Sequence, residues 1–181
     1  MVRVAINGFG RIGRRVFRLL QSHPTIEVVA INDLADTKTL AHLLKYDSIH
    51  GTLNSPVSSN FSNIIFDGKT IPVLNKTHPK NLNWMPYDVD IVIEATGKFK
   101  TQKELTHHIT NGATKVILSV PPLDDDLKTV VLGVNDDLLN TKDSIISNAS
   151  CTTNNAAPMV SIINELCGIN QAYITTVHSY T

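Results

Sequence analysis

The stretch that decides the fold is residues 2–13, VRVAINGFGRIG, at the start of the chain. Its first five residues are rich in aliphatic side chains and predict a short β-strand. Gly8, Gly10 and Gly13 follow as a G-x-G-x-x-G pattern, and a helical pattern runs behind them until Pro24. A strand, a glycine turn and a helix in this order indicate the beginning of a βαβ unit that binds a dinucleotide.

A second strand pattern at residues 27–31 leads to Asp33, 20 residues beyond Gly13. A dinucleotide site places a carboxylate there, where it binds the ribose hydroxyls of the adenosine half. The glycines would then provide a tight turn, close approach to the pyrophosphate and packing of helix on strand. Because a carboxylate repels a 2′-phosphate, Asp33 favours NAD over NADP. The alternative interpretation is an ordinary glycine turn with Asp33 as a helix cap.

Strand and helix patterns alternate along the rest of the chain. Asp67-Gly68 predicts a hairpin turn, Pro72 predicts an edge strand, and Thr101 with Glu104 predicts a capping box. The alternation predicts an α/β protein with a doubly wound, mostly parallel sheet that carries helices on both faces. Further strands are predicted at residues 63–66, 69–73, 90–95, 115–118, 129–134, 144–147 and 172–177, and residues 51–63 are predicted as a loop.

Residues 147–154, SNASCTTN, form a second informative stretch. An extended run precedes it and a helical run at residues 155–166 follows, so we expect Cys151 at or near the first turn of a helix. Unpaired N–H groups and the positive dipole end favour a thiolate there and lower the thiol pKa. Pro158 should kink this helix or leave its first turns irregular. The alternative interpretation is a buried structural cysteine at a helix start.

His178, just after the last predicted strand, completes a candidate reactive set. A lone histidine at a strand end is more often structural, but a cysteine nucleophile with an imidazole base is a standard activated pair. Together with a hydride acceptor, the pair suggests oxidation of an aldehyde through a covalent thioester.

Composition narrows the function classes. Lys plus Arg balance Asp plus Glu at 16 each, so no basic surface indicates nucleic acid. The apolar runs are only strand-length, which argues against a membrane span. The two cysteines, Cys151 and Cys167, share one predicted helical segment, so we expect no disulfide and a reducing, cytoplasmic setting. The histidines are scattered, and no metal-ligand spacing is found.

Six segments of the chain resemble the glyceraldehyde-3-phosphate dehydrogenase family, and the Cys-centred octet among them is highly specific. The resemblance implies a Rossmann-like NAD-binding domain over residues 1–150 and, over residues 151–181, the first strand of a truncated α+β catalytic domain. The matching segments are residues 5–14, 31–33, 43–48, 94–97, 147–154 and 176–181.

The resemblance also implies residue roles. Cys151 would attack the aldehyde of glyceraldehyde 3-phosphate, His178 would lower the thiol pKa and take the hydroxyl proton, and inorganic phosphate would cleave the thioester. The family often has Arg where Thr77 stands, which puts that contact with the adenine in doubt. The implied cofactor-binding residues are Asn7, Gly8, Gly10, Arg11, Ile12, Gly13, Asp33, Thr77, Thr96, Gly97 and Ser119. The implied substrate-binding residues are Ser150, Cys151, Thr152 and Thr181.

Family members are much longer than this chain and are expected to form homotetramers. We therefore expect an N-terminal fragment that is inactive alone, in which His178 is not held near Cys151. Two other functions stay open at this point. One is a non-catalytic NAD-binding module left by truncation, and the other is the sister enzyme that acts on erythrose 4-phosphate.

Overall fold

The computed structural model describes residues 1–178. Thr181, which the sequence predicts to bind a substrate phosphate, lies outside the described residues. The helices are α1 (Arg11–Leu20), α2 (Thr37–Lys45), α3 (Gln102–Thr110) and α4 (Cys151–Cys167), with short 3-10 turns at Pro79–Asn81, Met85–Tyr87 and Asp136–Leu138. The strands are β1 (Val2–Asn7), β2 (Ile26–Asn32), β3 (Val57–Ser59), β4 (Asn63–Phe66), β5 (Lys69–Leu74), β6 (Ile91–Glu94), β7 (Lys115–Leu118) and β8 (Ile145–Ser147).

The strands of residues 1–178 form one sheet in the order β3-β4-β5-β2-β1-β6-β7-β8. The run from β5 to β8 is parallel, and the β3–β4–β5 meander extends it with antiparallel pairs. The strand order reverses beside β1, which pairs with β2 on one side and β6 on the other. In open α/β sheets the crevice beyond the carboxyl ends at such a switch point binds ligands. The predicted doubly wound α/β fold is confirmed.

The side chains of β1 alternate between the two faces of the sheet, and each face carries a separate hydrophobic core. Val4 and Ile6 belong to the cluster that contains Phe17 of α1 and Leu44 of α2. Ala5, between them, belongs to the cluster built around residues such as Leu105 of α3. Successive side chains of a strand point to opposite faces, so helices cover both faces of the sheet as predicted.

Several local predictions are confirmed. Asp67-Gly68 turns the β4–β5 hairpin, with both residues at positive φ. The Thr101 side chain accepts a hydrogen bond from the Glu104 N–H while Glu104 reaches back, which is the predicted capping box.

Three predictions within residues 51–134 are wrong. β5 is not an edge strand, and Pro72 is tolerated because β5 pairs with β2 only through the following Val73 and Leu74. Residues 129–134 make only an isolated bridge at Thr129, because the Asn135 side chain takes the Val131 N–H that a ladder would need. Residues 57–59, predicted as loop, form β3 instead because they pair with β4.

The C-terminal part also differs from expectation. α4 runs continuously through Pro158, and its first turn is regular because the Ser150 side chain caps it. The strand predicted at residues 172–177, the expected first strand of the catalytic domain, is not formed. Within the described residues no neighbouring strand offers this segment the N–H and C=O groups that a strand requires.

Candidate active site

The glycine turn after β1 needs two of its three glycines for steric reasons. Gly8 has a φ of +92°, and a Cβ placed on it would lie 2.6 Å from the backbone nitrogen of Thr96. A Cβ on Gly13 would lie 2.1 Å from the carbonyl oxygen of Gly8. A Cβ on Gly10 would meet nothing within 4 Å. The first and third glycines therefore close the turn and pack the helix, while the second keeps the turn open to a ligand.

Asp33 joins this turn to the end of β2. Its Oδ2 accepts a hydrogen bond from the Phe9 N–H at 2.7 Å, and its Oδ1 accepts one from the Ala35 N–H at 2.9 Å. The Arg14 guanidinium donates to the Phe9 carbonyl at 2.9 Å and holds the same turn. A carboxylate offers about four acceptor positions, so Asp33 can still accept hydrogen bonds from a diol.

A cavity of about 300 Å³ opens between the ends of β1, β2 and β6. Six of the predicted cofactor-binding residues line it: Asn7, Gly8, Gly10, Asp33, Thr77 and Thr96. The cavity also includes residues that the sequence analysis did not select, among them Asn32, Lys76, Lys98 and Phe99. Asn32 could have been predicted from the sequence, because it lies at a strand end directly before Asp33.

A second cavity of about 360 Å³ lies on the other side of the N-terminal end of α1. Ile12, Ser119 and Cys151 line it, so two predicted cofactor-binding residues meet the predicted nucleophile. Within residues 1–178, the Ser119 Oγ is buried and has no hydrogen-bond partner. An unpaired hydroxyl on a residue that lines this cavity fits a polar group of a ligand. Of the other predicted residues, Arg11 and Gly13 lie in the first turn of α1, and Gly97 follows Thr96 at positive φ.

A sharp turn between β8 and α4 presents Cys151. Ala149 adopts a left-handed φ of 58°, a conformation that costs an L-residue roughly 1–3 kcal/mol and that often occurs at functional sites. Ser150 is the N-cap of α4, and its Oγ accepts a hydrogen bond from the Thr153 N–H at 2.9 Å. The Asn154 side chain donates to the carbonyls of Asn148 and Ser150 at 2.7 and 2.9 Å. Cys151 is therefore the first residue of a well-capped helix.

His178 lies beside the cysteine, so the expectation that it would not be held there is wrong. The Cys151 Sγ and the His178 Nε2 are 3.3 Å apart. The hydrogen bond with His178, helped by one with Thr152, lowers the pKa of the Cys151 thiol against a small opposing effect of desolvation. The pair forms without the predicted strand because residues 173–178 run back beside α4, and the two segments enclose a cleft of about 580 Å³.

Residues 1–178 contain no group of three or more histidine, cysteine or acidic side chains that could hold a metal ion. None of their helices combines the length and apolar character needed to cross a bilayer.

Comparison with known proteins agrees with this geometry. Residues 2–102 match the family model described as the NAD binding domain of glyceraldehyde 3-phosphate dehydrogenase, and residues 150–181 match its C-terminal domain. The chain is 52% identical over 181 residues to glyceraldehyde-3-phosphate dehydrogenase of Geobacillus stearothermophilus, covering 99% of this chain and 54% of the relative. It is 51% identical over 183 residues to the Thermotoga maritima enzyme of that name, covering 100% of this chain and 55% of the relative.

The chain therefore spans about half the length of the curated relatives it matches. The matched NAD binding domain contains the glycine turn, Asp33 and the 300 Å³ cavity, which identifies NAD as the cofactor. The match to the C-terminal model begins at the turn that presents Cys151. This chain belongs to the glyceraldehyde-3-phosphate dehydrogenase family.

Proposed function

We propose that the protein containing this chain oxidises glyceraldehyde 3-phosphate to 1,3-bisphosphoglycerate, with NAD and inorganic phosphate. The observation that supports this most strongly is the Cys151–His178 pair, 3.3 Å apart. One member of the pair lines the same cavity as Ile12 and Ser119 of the NAD-binding fold. An activated thiol beside a hydride-acceptor site is the arrangement that aldehyde oxidation through a thioester needs.

The residues would act in sequence. The Cys151 thiolate attacks the aldehyde carbon and forms a thiohemiacetal, whose oxyanion the N–H group of Cys151 can stabilise. His178 takes the hydroxyl proton as the carbon loses its hydride, and the bound NAD supplies the chemistry of hydride acceptance. Phosphate oxygen then attacks the thioester carbon, which breaks the C–S bond and returns the thiolate. No water is consumed, so the product retains the energy of the thioester as an acyl phosphate.

The chain offers distinct residues for each ligand. Asp33 would accept hydrogen bonds from the adenosine ribose, the open side of Gly10 would admit the pyrophosphate, and Ser119 would contact the nicotinamide half. Ser150, Thr152 and Thr181 would bind phosphate groups. The Oγ of Ser150 accepts the capping N–H of Thr153, and its own proton could be donated to a phosphate oxygen.

We further propose that residues 1–150 are the NAD-binding domain and that residues 151–181 begin the catalytic domain. The whole protein would be a cytoplasmic homotetramer. The 1–150 boundary falls at the N-cap of α4, where the sheet ends and the helix carrying the nucleophile begins.

The reaction can be assayed in a chimaera that continues residues 1–181 with the C-terminal half of the Geobacillus relative. We expect NADH formation to require both NAD and glyceraldehyde 3-phosphate, and to stop after about one NADH per subunit without phosphate, because the thioester then has no acceptor. Cys151→Ser should abolish the reaction, and Cys167→Ser is the matched control that should retain it. A preference for erythrose 4-phosphate would assign the sister activity instead. NAD binding without oxidation of either aldehyde would support a non-catalytic module.

A further inference from the structure

Glu94, at the carboxyl end of β6, is a fully buried carboxylate that the proposed reaction does not use. It makes four hydrogen bonds. Oε1 contacts the N–H of Thr96 at 2.9 Å and its hydroxyl at 2.5 Å. Oε2 contacts the Asn7 Nδ2 at 2.5 Å and the His108 Nε2 at 3.1 Å. Burying an acidic group is costly unless it is fully hydrogen-bonded. The partners around Glu94 provide the hydrogen bonds that offset this cost.

Chemistry fixes the direction of three of the four bonds. The Trp84 indole can only donate, and it reaches the His108 Nδ1 at 3.0 Å, so the neutral ring carries its proton on Nε2 and donates it to Glu94. The Thr96 hydroxyl accepts from the Lys98 N–H at 3.1 Å and has its own proton to donate to Glu94. The amide N–H groups of Asn7 and Thr96 are donors. Glu94 therefore accepts hydrogen bonds from the Asn7 amide, the His108 ring and the Thr96 backbone.

Two side-chain amides link this carboxyl group to β2, and the far amide is also held by the backbone of Lys76, because the Asn32 Nδ2 donates to the Lys76 carbonyl at 3.0 Å. Since Glu94 accepts from the Asn7 Nδ2, the Asn7 Oδ1 must face away, and there it accepts from the Asn32 Nδ2 at 2.7 Å. The Asn32 Oδ1 then accepts from the backbone N–H of Lys76 at 2.9 Å. These hydrogen bonds form a relay from Glu94 on β6 through Asn7 on β1 to Asn32 on β2. The relay ends at the segment of Lys76 and Thr77.

Both ends of the relay form walls of the same cavity. Lys76 and Thr77 line it on one side, and Thr96 lines it on the other. The backbone of Thr96 also lies against Gly8, close enough that a Cβ on the glycine would be 2.6 Å from it. We propose that Glu94 is a positioning residue for NAD, whose buried and hydrogen-bonded carboxyl group holds the Thr96 and Lys76 walls at the spacing that the adenosine half requires. This inference rests on the proposed cofactor site.

Glu94→Gln tests the role with almost no change in shape. The amide places an N–H₂ group against donors at one end, so either the Thr96 N–H or the Asn7 and His108 N–H groups lose their acceptor. We expect the dissociation constants of NAD and of ADP-ribose for residues 1–181, measured by calorimetry, to rise by about tenfold, and by the same factor, because the affected walls serve the shared adenosine half.

Asn7→Asp in the Glu94→Gln background supplies the rescue. The carboxylate introduced on β1 can accept from both the new amide and the Asn32 Nδ2, so we expect part of the affinity to return. Asn7→Asp alone should weaken binding, because it sets two carboxylates side by side. A merely structural role would not produce this reversal. Thr101→Ala is the control for stability, since it removes the capping box of α3 and should leave the NAD affinity unchanged.

The outcomes separate this role from the cofactor site itself. Wild-type chain that binds no NAD would contradict the proposed site and the inference with it. If the wild-type chain binds NAD and Glu94→Gln binds it with a dissociation constant within twofold of wild type, the inference alone is overturned. The same follows if the double variant binds NAD no more tightly than Glu94→Gln. If Glu94→Gln does not fold, Asn7→Ser interrupts the relay with no new N–H facing the carboxylate. A raised dissociation constant in Asn7→Ser then supports the role, and an unchanged one overturns it.

Discussion

Gly13→Ala is expected to destabilise the chain by at least about 3 kcal/mol, because its Cβ has no room to relax. The new atom would lie 2.1 Å from the Gly8 carbonyl oxygen and 3.1 Å from the Ile6 side chain. The first obstacle is backbone inside the glycine turn, so α1 must move away from β1. The core around Val4, Ile6 and Phe17 packs α1 against that strand and resists the movement.

Gly10→Ala is the matched control in the same turn. Its Cβ meets nothing within 4 Å, and its φ of −70° suits any residue, so we expect a stability within about 1 kcal/mol of wild type. The methyl group would instead occupy the space of a pyrophosphate and weaken NAD binding by at least about tenfold. Urea unfolding followed by circular dichroism measures the first effect, and calorimetry measures the second. Equal stabilities of the two variants would contradict the assigned roles of these glycines.

The second large effect is expected at the two cysteines. Iodoacetamide reacts with the thiolate, and an ordinary thiol is only a few per cent ionised at pH 7. His178 and the helix start lower the pKa of the Cys151 thiol, whereas Cys167 is the last residue of α4, where the dipole disfavours negative charge. Both cysteines are exposed, so access does not decide between them. We expect Cys151 to react about 30-fold faster at pH 7.

His178→Asn should remove most of this difference. The hydrogen bond to His178 is the main cause of the lowered Cys151 pKa, so its loss raises that pKa and moves the alkylation profile to higher pH. The rate of Cys151 alkylation at pH 7 should fall by about tenfold. The pH profiles of Cys151 and Cys167 should converge at alkaline pH, where both thiols are ionised. Timed labelling with peptide mapping gives both rates in one sample. If the pH profile of Cys151 alkylation is the same in the wild-type chain and in His178→Asn, the pairing has no chemical effect.

The sequence predicted those features that local chemistry specifies. Residues 2–13 imply the strand, turn and helix because glycine spacing and aliphatic periodicity act over a few residues. The helix start at Cys151 was predictable for the same reason, since Ser150 is a strong cap. The spacing of Asp33 favoured NAD, and the family resemblance added the roles of Cys151 and His178, but we expected the two not to be held together in this chain.

Features that depend on distant partners were not predictable. The apolar run at residues 172–177 has the composition of a strand, but a strand exists only where a neighbour pairs with it. Asn135 similarly diverts Val131 from the predicted ladder through a side-chain bond that has no periodic signature. The role of Glu94 depends on Asn7 and His108, 87 and 14 residues away, and in the sequence Glu94 is only the end of an apolar strand.

The central claim is that the NAD crevice and Cys151 are two halves of one site. It is tested most directly by the rate at which iodoacetamide alkylates Cys151 in residues 1–181, with and without saturating NAD. The nicotinamide half should enter the cavity lined by Ile12, Ser119 and Cys151 and cover the thiol. We predict that NAD slows the alkylation of Cys151 by at least about threefold and that ADP-ribose has little effect on it. The alkylation of Cys167 should be unaffected by either ligand. A Cys151 rate that does not change when NAD is shown to be bound would contradict the account.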